Sequence, residues 1–361
     1  MLYYGRTGDG SLSQRILYRM NYTPKVAIVI LNWNGVEHLR TFLPSVLSSV
    51  WPNLDIIVGD NGSTDESVAF VKGLYPSIRI IETGANYGFT GGYNKVLEQV
   101  EADYYILLNS DVEVHPGWIA PVIELMESDP LIAAAAPKIK AYLQKDSFEH
   151  AGAAGGFIDS YGYPFCRGRV FYEIEQDRGQ YEQSGEVFWA SGAALFIKKK
   201  YWDEAGGFDD RFFAHMEEID LCWRLKNMGY KIMYCAQSEV FHLGGGTLNT
   251  ENPFKTYLNF RNNLLLLKKN LPFWRSLYVI TVRYFMDLMA LIRFLNEGKR
   301  KDAAAVSKAH RNFIRHLFHS EKTIIHKDKS RLKGMYKGSI IAEFFIKKKR
   351  SFTSLDQKNF Y

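Results

Sequence analysis

Cysteine is scarce, with three in 361 residues. Cys166, Cys222 and Cys235 are odd in number, far apart and in no C-x-x-C arrangement, which excludes a disulfide framework and a zinc cage and suits a reducing compartment. The first 25 residues also lack the continuous apolar stretch of an export signal, being interrupted by Arg6, Asp9, Arg15, Arg19 and Lys25. A cytoplasmic protein is the expectation. Nor does a clean membrane span stand out. "LYVITVRYFMDLMALIRFL" at 277–295 is long enough, but it contains Arg283, Asp287 and Arg293. Each would cost about 2.5–3.5 kcal/mol at a bilayer centre, so an amphipathic or packed helix is expected instead. Internal repeats and low-complexity blocks are missing too. What is present, 47% hydrophobic and 15% aromatic residues, is enough for a full core in one large domain plus an appendage. A disordered or fibrous chain is excluded.

Charge is unevenly placed. Between Glu297 and Tyr361 there are 17 Lys and Arg against six Asp and Glu, a surplus of eleven in a chain whose total is +6, which leaves the first 296 residues at −5. Basic runs such as "IKKKR" at 346–350 suit an anionic membrane, a nucleic acid or a merely solvated face. The tail contains no RNA- or DNA-binding module, so no nucleic acid partner is expected.

The first half alternates apolar runs with amphipathic stretches. "VAIVILNW" (26–33), "LDIIVGD" (54–60), "IRIIE" (78–82) and "YYILLNSD" (104–111) are nearly unbroken and rich in β-branched residues, as parallel strands covered on both faces are. Between them lie stretches with helical spacing, and Ser63-Thr64-Asp65-Glu66 supplies helix-start chemistry. The pattern predicts a doubly wound α/β sheet. Further on, "FEHAGAAGGFIDSYGYPFCRGR" suits a long functional loop. Order returns with a strand at 193–197, a helix from Glu217 to Met228 stopped by Gly229, a strand at 231–234, and helices over 254–270 and 275–296.

In such sheets ligands bind beyond the carboxyl ends of the strands, where loops and helix N-termini converge. Those ends are Asn32-Trp33-Asn34, Asp60-Asn61-Gly62 and Asn109-Ser110-Asp111, all polar. Any one is an ordinary turn, whereas two acidic endings in one sheet point to a ligand crevice. Asp111 suits a hard divalent cation bridging the oxygens of a diphosphate. His242, in "EVFHLGGG", is either a structural histidine or a further ligand, and an imidazole would favour Mn²⁺ over Mg²⁺. Glu217, Glu218 and Asp220 crowd a helix start, where acids complement the macrodipole; behind the aromatic "GGFDDRFFAHM", one of them could equally be a general base. "TGANYGFTGGYN" is not a dinucleotide fingerprint, since its glycines are wrongly spaced and follow the third strand. Gly91 and Gly92 allow close backbone approach to a ligand or to neighbouring chain.

In this order, "VAIVILNWNG", "VGDNGSTDES", "NYGFTGGYN", "LLNSDVEV", "ASGAALFIKKKYWDEAGGFDDRFFAHMEEIDLCWRLKNMGY" and "VFHLGGG" resemble the family 2 glycosyltransferases, and most of all their bacterial rhamnosyltransferase-like branch in cell-surface polysaccharide synthesis. The resemblance spans about residues 24–270. It implies an A-type glycosyltransferase fold (a Rossmann-like doubly wound sheet), a nucleotide-diphosphate sugar such as dTDP-rhamnose or a UDP-sugar as donor, Mn²⁺ or Mg²⁺, and inverting displacement. By resemblance, Asp60 pairs with the pyrimidine base, Asn34 lines the nucleotide pocket and Asn109-Ser110-Asp111 is the D-x-D segment with Asp111 on the metal. His242 completes metal or diphosphate binding. Glu218 takes the place of the family's usual Asp as base, with Glu217 and Asp220 as alternatives, while Trp189 and Gly192 fall on the acceptor side. Trp189 is equally a candidate core residue.

The division expected is an N-terminal extension (1–24), a catalytic domain (25–252) and a helical, basic C-terminal region (253–361). The acceptor would be a glycan or lipid-linked sugar. The C-terminal helices would make peripheral contact with an anionic membrane or form a homodimer. A noncatalytic nucleotide-sugar or polysaccharide-binding protein on the same fold is the competing reading, encouraged by the Glu at position 218.

Overall fold

The computed structural model describes residues 23–150, 152–244, 252–317 and 332–361. Most of the expected N-terminal extension, residues 1–22, and Gly245 and Gly246 after His242 lie outside the described residues. So does the basic stretch 318–331.

The elements run β1 (Val26–Asn32), α1 (Val36–Leu47), β2 (Leu54–Asp60), α2 (Ser67–Leu74), β3 (Arg79–Glu82), α3 (Gly88–Leu97), β4 (Tyr104–Asn109), β5 (Val112–Val114), α4 (Ile119–Ser128) and β6 (Ile132–Ala141). Next come the short strands β7 (Gly156–Asp159), β8 (Pro164–Cys166), β9 (Arg169–Val170), β10 (Glu173–Ile174) and β11 (Gly185–Val187). Then follow β12 (Ala194–Lys198), α5 (Lys199–Ala205), α6 (Glu217–Met228), β13 (Lys231–His242), α7 (Pro253–Asn270), α8 (Phe273–Asn296), α9 (Arg300–His316) and β14 (Met335–Tyr336).

The main sheet has the order β11-β13-β6-β12-β4-β1-β2-β3, with β5 paired to β13. β1 pairs in parallel with both β2 and β4. The chain therefore winds outward through β2 and β3 and returns to the other side of β1, which makes the β1/β4 boundary a topological switch point where a crevice opens. β12 then enters antiparallel between β4 and β6. The unbroken apolar character of β1 has its reason here: Val26, Ile28 and Ile30 pack into one core with Leu39, Leu43 and Val122, while Ala27 and Val29 pack into the other with Tyr93 and Val96.

The segment expected to be an irregular loop is instead a small sheet, β10-β9-β8-β7-β14, whose last member comes from the C-terminal tail. Its strands are two to four residues long, too short to show alternation in the sequence. Trp189 belongs to this core rather than to an acceptor wall. It is 3% exposed, its Nε1 donates to the Phe157 carbonyl at 2.9 Å, and a methyl group at Gly156 would lie 2.1 Å from its ring. The C-terminal region is helical through α9, after which residues 332–361 fold back on the small sheet, packing Phe352 and Phe360 against Phe157. The basic run at 346–350 is partly tied down, with Lys347 and Lys349 at 2.8 and 2.9 Å from Glu343 and Arg350 over the Phe344 ring.

Candidate active site

The ends of β1 and β2 are locked to each other by side chains that mimic backbone. Asn34, at φ 50, turns the chain in a left-handed conformation that asparagine tolerates. Its Oδ1 accepts from the amides of Thr64 and Asp65 at 2.7 and 3.3 Å. The Asn34 amide donates to Ser63 Oγ at 2.9 Å, and the Val36 amide to Asp65 Oδ2 at 3.1 Å. Asp60 is buried and accepts from the Ser63 amide at 3.0 Å and Asn32 Nδ2 at 3.5 Å. A carboxylate has about four lone-pair positions, so two remain for a further donor. Ser63 and Asp65, which build this cradle, entered the sequence reading only as helix-start residues.

Gly91 and Gly92 lie inside α3, not in a phosphate loop. A methyl group at Gly92 would meet Leu31 Cδ2 at 2.9 Å and Asn61 at 3.0 Å, and one at Gly91 would meet Tyr87 Cβ at 2.9 Å. Gly92 therefore lets the helix approach neighbouring chain at Leu31 and Asn61, the second of the two roles the sequence allowed, whereas the tight contact at Gly91 is with Tyr87 at the start of its own helix.

Asp111 follows β4, and His242 ends β13 opposite Val112 of β5. His242 Nε2 stands 3.1 Å from Asp111 Oδ1 and 3.4 Å from Asn109 Nδ2. On its far side Nδ1 lies 3.4 Å from Glu149 Oε2, a residue the sequence did not single out. Burial pulls the imidazole pKa down, but the hydrogen bonds and charges of Asp111 and Glu149 outweigh it and raise it to about 10. Burial likewise pushes the Asp111 carboxyl up, and the His242 hydrogen bond and charge, with His38 beyond, hold it below its ordinary value. A divalent ion ligated octahedrally at about 2.1 Å has neighbouring donors about 3.0 Å apart. The Asp111–His242 pair matches that spacing, and a carboxylate behind the second imidazole nitrogen is the usual support of a metal-ligating histidine. The residues fit a divalent cation, one oxygen and one nitrogen at a time. Among the described residues no group of three His, Cys, Asp or Glu is arranged to hold an ion by itself.

The acidic cluster at α6 separates into distinct roles. Asp220 is fully buried and bound to Arg224 Nε at 2.8 Å, Lys269 Nζ at 2.8 Å and Asn270 Nδ2 at 2.9 Å. A carboxylate so committed anchors α7 to α6 and cannot act as a base, which corrects that alternative. Removing it would strand a buried guanidinium, so Asp220→Ala is expected to cost about 3–5 kcal/mol in chemical denaturation. Glu217 is buried, and its Oε2 has no hydrogen-bond partner. Burial and the adjacent Glu218 charge raise its pKa well above the ordinary carboxylate range. Glu218 is half-buried, its Oε2 also lacks a hydrogen-bond partner, and desolvation raises its pKa to about 7. The loop delivering the pair holds Phe213, His215 and Met216 at positive φ (63, 69 and 74°), a strained approach of the kind found where side-chain placement matters.

Glu218 is joined to the strand-end site through the turn before β12. A methyl group at Gly192 would lie 3.8 Å from Glu218 Cβ and 3.6 Å from Phe89, and the neighbouring Ala193 carbonyl accepts from the Asn109 amide at 3.0 Å. The Gly192–Ala193 turn thus touches both the Asn109 backbone, by a hydrogen bond, and the Cβ end of the Glu218 side chain, by packing.

Known proteins resemble this chain in sequence and in fold. Residues 27–204 match glycosyl transferase family 2. Over 238 residues the chain is 27% identical to the N-acetylglucosaminyl-diphospho-decaprenol L-rhamnosyltransferase of Mycobacterium tuberculosis, covering 61% of this chain and 76% of that protein. A low-salt glycan biosynthesis hexosyltransferase of Haloferax volcanii is 24% identical over 66% of this chain and 74% of its own length. Among solved structures, GalNAc-T7 with UDP, GalNAc and Mn²⁺ superposes with a TM-score of 0.53 at 16% identity, over 68% of this chain and 48% of that one. A mannosyltransferase from Pyrobaculum calidifontis in complex with GDP-Man and Mn²⁺ gives 0.51 at 11% identity, over 84% and 95%. At such identities the structural likeness is one of fold. That fold, with its strand-end carboxylates, is the A-type glycosyltransferase fold. Residues 27–204 are a glycosyl transferase family 2 domain, and the protein is a glycosyltransferase, similar to a rhamnosyltransferase.

Proposed function

We infer that this enzyme moves a sugar from a pyrimidine nucleotide-diphosphate donor, dTDP-rhamnose or a UDP-sugar, to a hydroxyl of a glycan or lipid-linked acceptor in cell-surface polysaccharide synthesis. Transfer inverts the anomeric carbon. The observation that carries this reading is Glu218, a carboxyl with one unpartnered oxygen and a pKa near neutrality, packed against the Gly192–Ala193 turn to which the Asn109 amide is hydrogen-bonded. Its nearness to pH 7 is what a general base needs, since it is half ionised at working pH and still basic enough to take a hydroxyl proton. Burial and the Glu218 charge raise the Glu217 pKa, which disfavours two charges in one buried place. Asp60 accepts the ring N–H of uracil or thymine, and Asn34 shapes the adjoining turn. Gly192 packs in van der Waals range of Glu218 Cβ and the Phe89 ring, so on this reading the acceptor side is bounded by that turn.

Asp111 and His242 would hold Mn²⁺ or Mg²⁺, with Glu149 orienting the imidazole and the donor's phosphates completing the ligand set. Such an ion, when bound, neutralises the charge that develops on the departing nucleoside diphosphate. On this reading residues 25–252 carry the chemistry, working in the cytoplasm. The test is a thermal-shift screen of UDP, dTDP and GDP and their sugars with Mn²⁺. A stabilisation of about 2.7 kcal/mol at a hundredfold excess over Kd is expected for one pyrimidine class. Stabilisation by GDP compounds alone would overturn the Asp60 assignment.

A further inference from the structure

α8 is amphipathic in the inverted sense. Ser276, Arg283 and Asp287 face inward. Arg283 is 3% and Asp287 1% exposed; the guanidinium lies 3.8 Å over Tyr163 and donates to the Tyr161 carbonyl at 3.1 Å, and Asp287 is 3.0 Å from His310 of α9. Two of the three charges that interrupt this segment in the sequence, Arg283 and Asp287, are therefore spent on packing against the catalytic domain and α9, while Arg293 stays exposed.

The opposite side is apolar and open. Trp274, Leu277, Phe285, Leu288, Met289 and Ile292 are all about half exposed or more, with Trp274 at 78% and Met289 at 72%. At about 100° per residue, they fall within roughly 120° of one another, a single stripe along more than four turns. A contiguous apolar stripe on a folded surface marks an interaction site.

Charge distinguishes the occupant. The only acid in α8 is the buried Asp287, Arg275 stands near the start, and Arg293, Lys299, Arg300 and Lys301 are exposed at its end; Glu297 there pairs with Arg293 at 2.7 Å and Lys299 at 3.3 Å, and the end keeps a net positive charge. Pairing two copies along this stripe would bring cations against cations in either direction. A surface of anionic headgroups meets both basic ends favourably, at about 1 kcal/mol per cation. No described helix is long and apolar enough to cross a membrane, so the geometry fits lying in the interface, apolar side down, rather than spanning.

We propose that the outer face of α8 docks on an anionic bilayer, with Trp274, Phe285 and Met289 inserted among the acyl chains and the Arg293–Lys301 turn on the headgroups. This surface is separate from the proposed chemistry and stands or falls independently of it. In flotation with vesicles of phosphatidylcholine plus about one third phosphatidylglycerol, the full chain is expected to float, and to do so far less with phosphatidylcholine alone. A Trp274→Ser, Phe285→Ser, Met289→Ser variant should lose about tenfold or more of the bound fraction. Leu74→Ser, at an exposed apolar position on α2, should change nothing. Because the three substituted side chains are exposed, their melting temperature should be kept. Independently, Lys299→Gln, Arg300→Gln, Lys301→Gln should abolish the preference for anionic vesicles. The proposal is overturned if the wild type stays unbound, if either variant binds as it does, or if light scattering finds a dimer that the triple serine variant dissolves. Loss of transfer activity with flotation intact would count against the chemistry alone.

Discussion

Glu218→Gln is expected to lower kcat for transfer by about a hundredfold to ten-thousandfold, the usual worth of a positioned general base, while leaving donor-induced stabilisation in place. Glutamine keeps the volume and one acceptor oxygen but cannot take the hydroxyl proton. Stability should move the other way. Desolvation raises the Glu218 pKa from 4.5 to about 7, so the unfolded chain releases this proton before the folded one, and the group's contribution to stability falls as pH rises between those values. The variant should therefore melt at or above the wild-type temperature at pH 8. Lost activity joined to unchanged or increased stability separates a missing base from a damaged fold. The same pair of measurements disposes of a noncatalytic binding protein, in which Glu218→Gln would alter no rate.

Asp111→Ala should have the second largest effect, about a hundredfold to a thousandfold in kcat from lost stabilisation of the leaving diphosphate. It should also remove the metal dependence of donor-induced thermal stabilisation. With a single carboxylate and an asparagine at position 109, the site carries less negative charge than a full D-x-D segment. Mn²⁺ binding by calorimetry is accordingly expected to be weak without nucleotide and to tighten when UDP or dTDP is present. Glu149→Gln, which leaves Asp111 and His242 in place, should weaken that nucleotide-dependent binding by about 10–100-fold. Tight Mn²⁺ binding to the nucleotide-free protein at this site would contradict the ligand count.

What was legible in the sequence was whatever depends on local chemistry. β2 and α6 begin and end where their residues say: continuous apolar character up to Asp60, and acids in the first turn with Gly229 at φ 102 closing the last. The polar strand ends followed from the same reasoning. β13, expected over four residues, runs for 12; Gln237–Glu239 is neither apolar nor β-branched, and its continuation depends on a register shift against β6 between Cys235 and Glu239. The sheet built from β7 to β10 was hidden for a different reason. It is completed by Met335–Tyr336, more than 160 residues away, and no local pattern announces such a partner.

The site shows the same division. Sorting Glu217, Glu218 and Asp220 required knowing that Lys269 and Asn270 of α7 reach back to one of them. Glu149 sits in a glycine- and aromatic-rich segment without periodicity, and only the folded chain brings it behind His242. Trp189 could have served a sugar or a core, and the glycine at 156 that leaves room for its ring decides for the core.

The central claim is that a desolvated Glu218 is the base of glycosyl transfer, and the pH dependence of kcat at saturating donor and acceptor tests it most directly. The account predicts a rate that rises about tenfold per pH unit on the acid side and levels off near pH 7, where Glu218 ionises. A kcat that is flat from about pH 5 to 8, as an unperturbed carboxylate would give, would contradict it.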